Sequence, residues 1–202
     1  MIYPSSAGGV TTQEVGYLQI GHAQAAGWIQ QGLGDGWTIT QPAPGWASLD
    51  DAIRDLVPSV PLTKHAVLEV GNWALLLNNG PDGTDVGVMP SRLARDLGRR
   101  AIRAVCVGDK EAEFPGRILE VYGPNGNPPL LCERSIAAAK DGARWVFETS
   151  GTPFDFEDES QYLNRLVAKR LTCDLLYEYL RQLRVPIDKE PDWASALVVE
   201  KR

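Results

Sequence analysis

Two histidines, His22 and His65, and three cysteines, Cys106, Cys132 and Cys173, are the only imidazoles and thiols in 202 residues. A structural zinc site needs about four nitrogen or sulfur ligands, usually in close-spaced pairs. The chain has no C-x-x-C and no H-x-x-x-H, so each histidine is read as a surface or satisfied core residue. Cys106 in RAVCV or Cys132 in PLLCE could face His65 across a sheet as a nucleophile and its base. Cysteines inside strands are ordinarily core atoms, and all three are read as buried, reduced thiols of a cytoplasmic protein. There is no G-x-S-x-G elbow, and neither phosphate-binding glycine pattern occurs. Gly32-x-Gly34-x-Gly36 follows an expected helix rather than opening one, and is read as a chain reversal. Asp82 and Asp85 in PDGTD invite a carboxylate site for calcium or magnesium. The EF-hand spacing is absent, however, and Asp with Gly reads as a turn. No catalytic residue, no metal and no cofactor is therefore expected.

Carboxylates are plentiful, with 26 Asp and Glu, but they cluster densely in one place only. Asp155, Glu157, Asp158 and Glu159 stand interleaved with Phe154 and Phe156. Carboxylates on a loop stay hydrated and ionised, so a raised catalytic pKa would need burial. The segment is a solvated acidic face, or else a docking surface for a basic partner with the two phenylalanines as anchors inside an acidic rim. Arg92, Arg95, Arg99, Arg100 and Arg103 form the opposite patch. A single-strand nucleic-acid site combines such cations with aromatic stacking, and no aromatic residue lies between positions 74 and 113. Pairing of these arginines with the acidic segment is the expected use. A net charge of −6 also argues against general nucleic-acid binding.

The elements that would position these groups are read from periodicity and caps. The stretch 12–33 is loosely helical, with a helix expected at about 21–32. Trp37–Thr40 is a short strand. Ser48 caps a helix that buries Leu49, Ala52, Ile53 and Leu56, and Pro58 and Pro61 end it. From about 65 to 150 strands dominate: HAVLEVG and NWALLLNN around Gly71-Asn72, then RRAIRAVCV, GRILEVYG, PLLCERSI and RWVFETSG. Asn79–Gly83 is a turn and Asp85–Met89 a short strand or extended piece. Ser91 caps a helix stopped by Gly98. After residue 159 helices return: Tyr162, Leu163, Leu166 and Val167 share one face, and Thr172 caps a second helix carrying Leu175, Leu176, Tyr179, Leu180 and Leu183. The tail 187–202 is an ordered arm or a frayed end. The fold class expected is α+β: a single domain over 1–202, with a helical part about 1–60, a mainly antiparallel sheet of five or six strands about 65–150, and C-terminal helices about 160–184.

The N-terminal residues carry no basic and apolar leader, and no apolar run spans a bilayer, so neither secretion nor membrane insertion is expected. The stretch RRAIRAVCVGDKEAEFPGRILEVYGPNGNPPLLCERSIAAAKDGARWVFETSGTPFDFED, with YLNRLVAKRLTCDLLYEYLRQLRVP after it, is similar in general character to small bacterial proteins without assigned enzymatic activity. It resembles the immunity proteins of polymorphic-toxin and contact-dependent inhibition systems. That resemblance implies a cytoplasmic, acidic α+β protein that binds and blocks one cognate toxin domain. It assigns no residue. The partner surface expected from the residues themselves is Phe154, Asp155, Phe156, Glu157, Asp158 and Glu159. A second reading is a small-molecule protein or enzyme with a cleft lined by Trp28, Trp37, Trp46 and Trp73, with His22, His65 or Asp85 as polar groups. A third is self-association, monomer or homodimer being open, through the helices of 160–183.

Overall fold

The computed structural model describes residues 12–80, 84–109 and 115–201. The alternating strands of the middle of the chain pair into one open, wholly antiparallel sheet. Its strands are β1 (Glu14–Leu18), β2 (Trp37–Thr40), β3 (Lys64–Val70), β4 (Trp73–Asn78), β5 (Ala101–Val107), β6 (Gly116–Asn127), β7 (Cys132–Asp141), β8 (Arg144–Gly151) and β9 (Asp192–Lys201). Their order is β2-β9-β3-β4-β1-β5-β6-β7-β8. The α+β class stands, but the described residues form nine strands rather than five or six. The additional ones are mainly β1 and β9, which bring the two ends of the described chain into the sheet, β1 at its middle and β9 one strand from an edge.

Strands in a central position are buried on both faces and lose the one-sided alternation that betrays an edge strand. β1 is such a case, with all five residues buried. Val15 and Tyr17 point to one layer, and Leu18 to the other. At Gly16 an added Cβ would lie 2.9 Å from Val86 Cγ1, so only glycine admits the neighbouring short 3-10 turn Thr84–Gly87. That turn replaces the extended piece expected at Asp85–Met89. The tail 187–202, read as an ordered arm or a frayed end, is ordered over its described residues and contains β9. β9 sits between β2 and β3, with Ala196 and Val198 in one layer and Val199 in the other. A register shift between Val67 and Glu69 accommodates the extra residues of β9.

Among the described residues four α-helices cover the sheet in two layers. On one face lie α1 (His22–Leu33) and α3 (Val88–Leu97), burying Ala25, Ala26, Ile29, Met89 and Leu93 against Val67, Ala74 and Leu76. On the other lie α2 (Leu49–Asp55) and α4 (Cys173–Gln182), burying Ala52, Leu176, Tyr179 and Leu180 against Leu68, Leu75, Leu119 and Ile136. The caps follow the sequence: the Ser48 hydroxyl accepts from Asp51 N, and the Thr172 hydroxyl accepts from Leu175 N. α3 begins three residues before Ser91, whose hydroxyl donates to Val88 O inside the helix, so Ser91 is not its cap. Gly98 ends it as expected. The turn β6–β7 lies a few residues later than PLLCERSI implied, because β6 continues to Asn127. The turn expected at Asn79–Gly83 lies partly outside the described residues.

Candidate functional site

The segment 152–171 connects β8 to α4 and crosses the layer that holds α4. It is not the continuous helix that Tyr162, Leu163, Leu166 and Val167 suggested. Two 3-10 turns, Gln161–Leu163 and Val167–Lys169, are separated by Asn164 in extended conformation. The Asn164 side chain accepts from Leu166 N, and its carbonyl accepts from Arg170 Nε, so local bonding outcompetes the helical ladder. Tyr162 and Leu171 turn inward. Leu163 and Leu166 turn outward, 83% and 59% exposed.

A buried ion pair fixes this segment to the sheet. The Arg134 and Glu157 side chains are 2% and 0% exposed. Arg134 Nε donates to Glu157 Oε1 at 2.9 Å and Nη2 to Oε2 at 2.7 Å, while Nη1 reaches the carbonyls of Ser150 and Gly151. Glu157 also accepts from Phe154 N at 2.9 Å and from the Tyr162 hydroxyl at 2.8 Å. The Tyr179 hydroxyl accepts from Asp158 N at 3.0 Å. Both charges thus find a full set of partners, the condition under which a buried pair is tolerated.

The six residues expected at a partner surface therefore divide. Glu157 is withdrawn from solvent, and Phe154 and Phe156 are half-buried against the core, stacked with ring centroids 5.2 Å apart. Phe156 also lies 5.6 Å from the Tyr179 ring. Asp155, Asp158 and Glu159 remain exposed. The Ser160 hydroxyl and backbone hold the Asp158 carboxyl below its ordinary range. Leu163 and Leu166, which the sequence reading placed on an inward helical face, join the exposed acidic groups within the same segment.

The basic patch does not pair with this segment. Arg92 lies over the Trp28 ring, Arg95 meets Asp96, and Arg100 meets Glu133. Arg103 bridges Glu14 and Glu120 under the 3-10 turn, where Gly87 N also donates to Glu14. Burial raises the Glu14 pKa, against the opposing pull of Arg103.

The other expected constellations come apart in three dimensions. Trp46 and Trp73 belong to the α4 layer, whereas Trp28 and Trp37 pack on the α1 layer, so the sheet divides the four rings. His22 meets Glu69 at 3.0 Å. His65 is fully buried 5.7 Å from the Trp37 ring, and burial lowers its pKa to about 4. Strands β4 and β1 separate it from β5, and four strands separate it from β7, so neither Cys106 nor Cys132 meets it. The expectation of three reduced thiols is also corrected: Cys106 and Cys173 form a disulfide with Cα atoms 5.8 Å apart, and only Cys132 is free. Burial raises the Cys132 pKa, which suppresses the nucleophilic thiolate. Among the described residues no group of three or more His, Cys, Asp and Glu could hold a metal ion, and no helix is long and apolar enough to cross a membrane. Searches against protein-family models, curated proteins and solved structures found no match.

Proposed function

We propose that the protein is a non-enzymatic binding protein that occludes a partner protein, of the immunity or antitoxin type that the sequence resembles, with a toxin domain as the partner. One observation carries the reading. Leu163 and Leu166 are presented to solvent on the segment that the Arg134–Glu157 pair holds in place, which also carries exposed Asp155, Asp158 and Glu159. Large apolar side chains in water beside polar groups mark interaction surfaces, and a preordered segment loses little entropy on docking. The leucines replace Phe154 and Phe156 as the anchors, and the three exposed carboxylates form the acidic rim that favours a basic partner. The cytoplasmic setting rested on reduced thiols, and the Cys106–Cys173 bond removes that argument.

The test uses the partner identified by co-purification with this chain. Leu163→Asp with Leu166→Asp should weaken that complex by about 100-fold or more, as expected for loss of two anchors. Charge reversal at Asp155, Asp158 and Glu159 should chiefly slow association and flatten its salt dependence. Both sets should leave the thermal midpoint near wild type, whereas Glu157→Ala should unfold the segment. Unchanged affinity in the double leucine variant overturns this surface.

A further inference from the structure

Phe154 and Phe156 have a second neighbourhood, distinct from the exposed leucines. With Gln19, Arg100, Gln182 and Arg184 they line a surface cavity of about 330 Å³. That volume lies at the lower end of the range for small-molecule sites. In a chain of net charge −6, two guanidinium groups and no carboxylate line this cavity. Arg100 donates to Glu133 at 3.0 Å, so its charge is balanced. Arg184 is exposed and has no ion pair among the described residues, which leaves one uncompensated cation at the rim.

Arg184 is also held in an unusual way. Its φ is +62°, in the left-handed region where glycine normally closes a helix. The backbone there is fixed by Arg184 N donating to Arg181 O at 2.8 Å and Val185 N to Leu180 O at 3.0 Å. A side chain at such a position is strained, and that strain is tolerated where the surrounding structure over-determines it. The residue found there is an arginine bordering an aromatic cavity.

We propose that this cavity binds a small planar organic anion of the aromatic carboxylate class. The ring packs on the Phe154–Phe156 stack, Arg184 takes the carboxylate through its planar fork, and Arg100 is the second cation. The Gln19 and Gln182 amides supply neutral hydrogen bonds at the rim. The proposal is independent of the docking surface, which uses Leu163 and Leu166.

The experiment is a titration of the full chain, followed by NMR or calorimetry, with phenylacetate, its neutral amide phenylacetamide, and acetate. Phenylacetate should saturate the site and bind roughly tenfold tighter than either control, since only it supplies both ring and charge. Arg184→Ala should lower its affinity by about tenfold, and Arg184→Lys, which keeps the charge without the fork, by a smaller factor. Both variants should keep the wild-type fold by circular dichroism. The Leu163→Asp, Leu166→Asp double variant should bind phenylacetate as wild type does, so failure of the docking surface and failure of this site are separable. Equal response to the acid and its amide, no saturation by about 10 mM, or an Arg184→Ala variant that binds unchanged would overturn the proposal.

Discussion

At position 65 a histidine occupies a place that an aliphatic side chain would fill. It is fully buried on β3, and neither ring nitrogen has a hydrogen-bond partner among the described residues. Charging it there is opposed by burial alone, which brings its pKa to about 4 from the usual 6.5. Between those values the unfolded chain binds the proton and the folded chain does not. Stability therefore falls as pH drops from 6.5 towards 4, by roughly 3 kcal/mol across the whole window. Urea unfolding at pH 7.5 and pH 4.5 should show this loss in the wild type, and a clearly smaller loss in His65→Leu. An equal loss in both would assign the pH dependence elsewhere. Glu157 solves the same problem in the opposite way. Its carboxylate is supplied with partners, accepting from Arg134, Phe154 N and the Tyr162 hydroxyl. Nothing in the run Phe156-Glu157-Asp158 distinguishes the buried carboxylate from its exposed neighbour. The distinction lies with Arg134, 23 residues earlier, and a pairing at that separation is set by the β7–β8 ladder rather than by any local pattern.

The elements differ in how much of them can be read locally. α2 and α4 were legible because Ser48 and Thr172 announce their first turns, and each carries an apolar stripe. β8 was legible because it runs cleanly from Arg144 to Gly151 between turn residues. β1 was not, since burial on both faces erased its alternation and its glycine looked like a helix breaker. Residues 160–170 misled for the converse reason. Their apolar spacing is helical, but the Asn164 bonds and the outward leucines belong to two short turns. The disulfide was also beyond reach, because it depends on α4 packing its first residue against β5. It closes a loop with a sequence separation of 67, which by chain-entropy reasoning stabilises the fold by about 4 kcal/mol. Dithiothreitol should therefore lower the urea midpoint substantially, and Cys106→Ala with Cys173→Ala should reproduce the effect without reductant. Cys132→Ala should not make the protein insensitive to reductant. A midpoint indifferent to reduction would show that the clip contributes no net stability.

At the scale of the molecule, one sheet serves two cores. Adjacent residues such as Val67 and Leu68, or Leu75 and Leu76, feed opposite layers, so neither layer can loosen while the strands between them stay ordered. Unfolding should accordingly be a single transition. Tryptophan fluorescence in Trp28→Phe and Trp73→Phe variants, which silence one reporter from each layer, should give the same midpoint as far-UV circular dichroism. Separated midpoints would mean that the layers are independent. The placement of β9 carries a further consequence. It is the only partner of β2 and the second partner of β3, yet β3 ends at residue 70 and β9 begins at residue 192. On the ribosome, a nascent chain that has completed β3 must wait for residue 201 to clear the exit tunnel before the β3–β9 ladder can close. Until then the inner strand shows its bare amides and carbonyls to the cell. Such long-range closure is slow and exposed to aggregation, so this side of the sheet is completed only once β9 has been made.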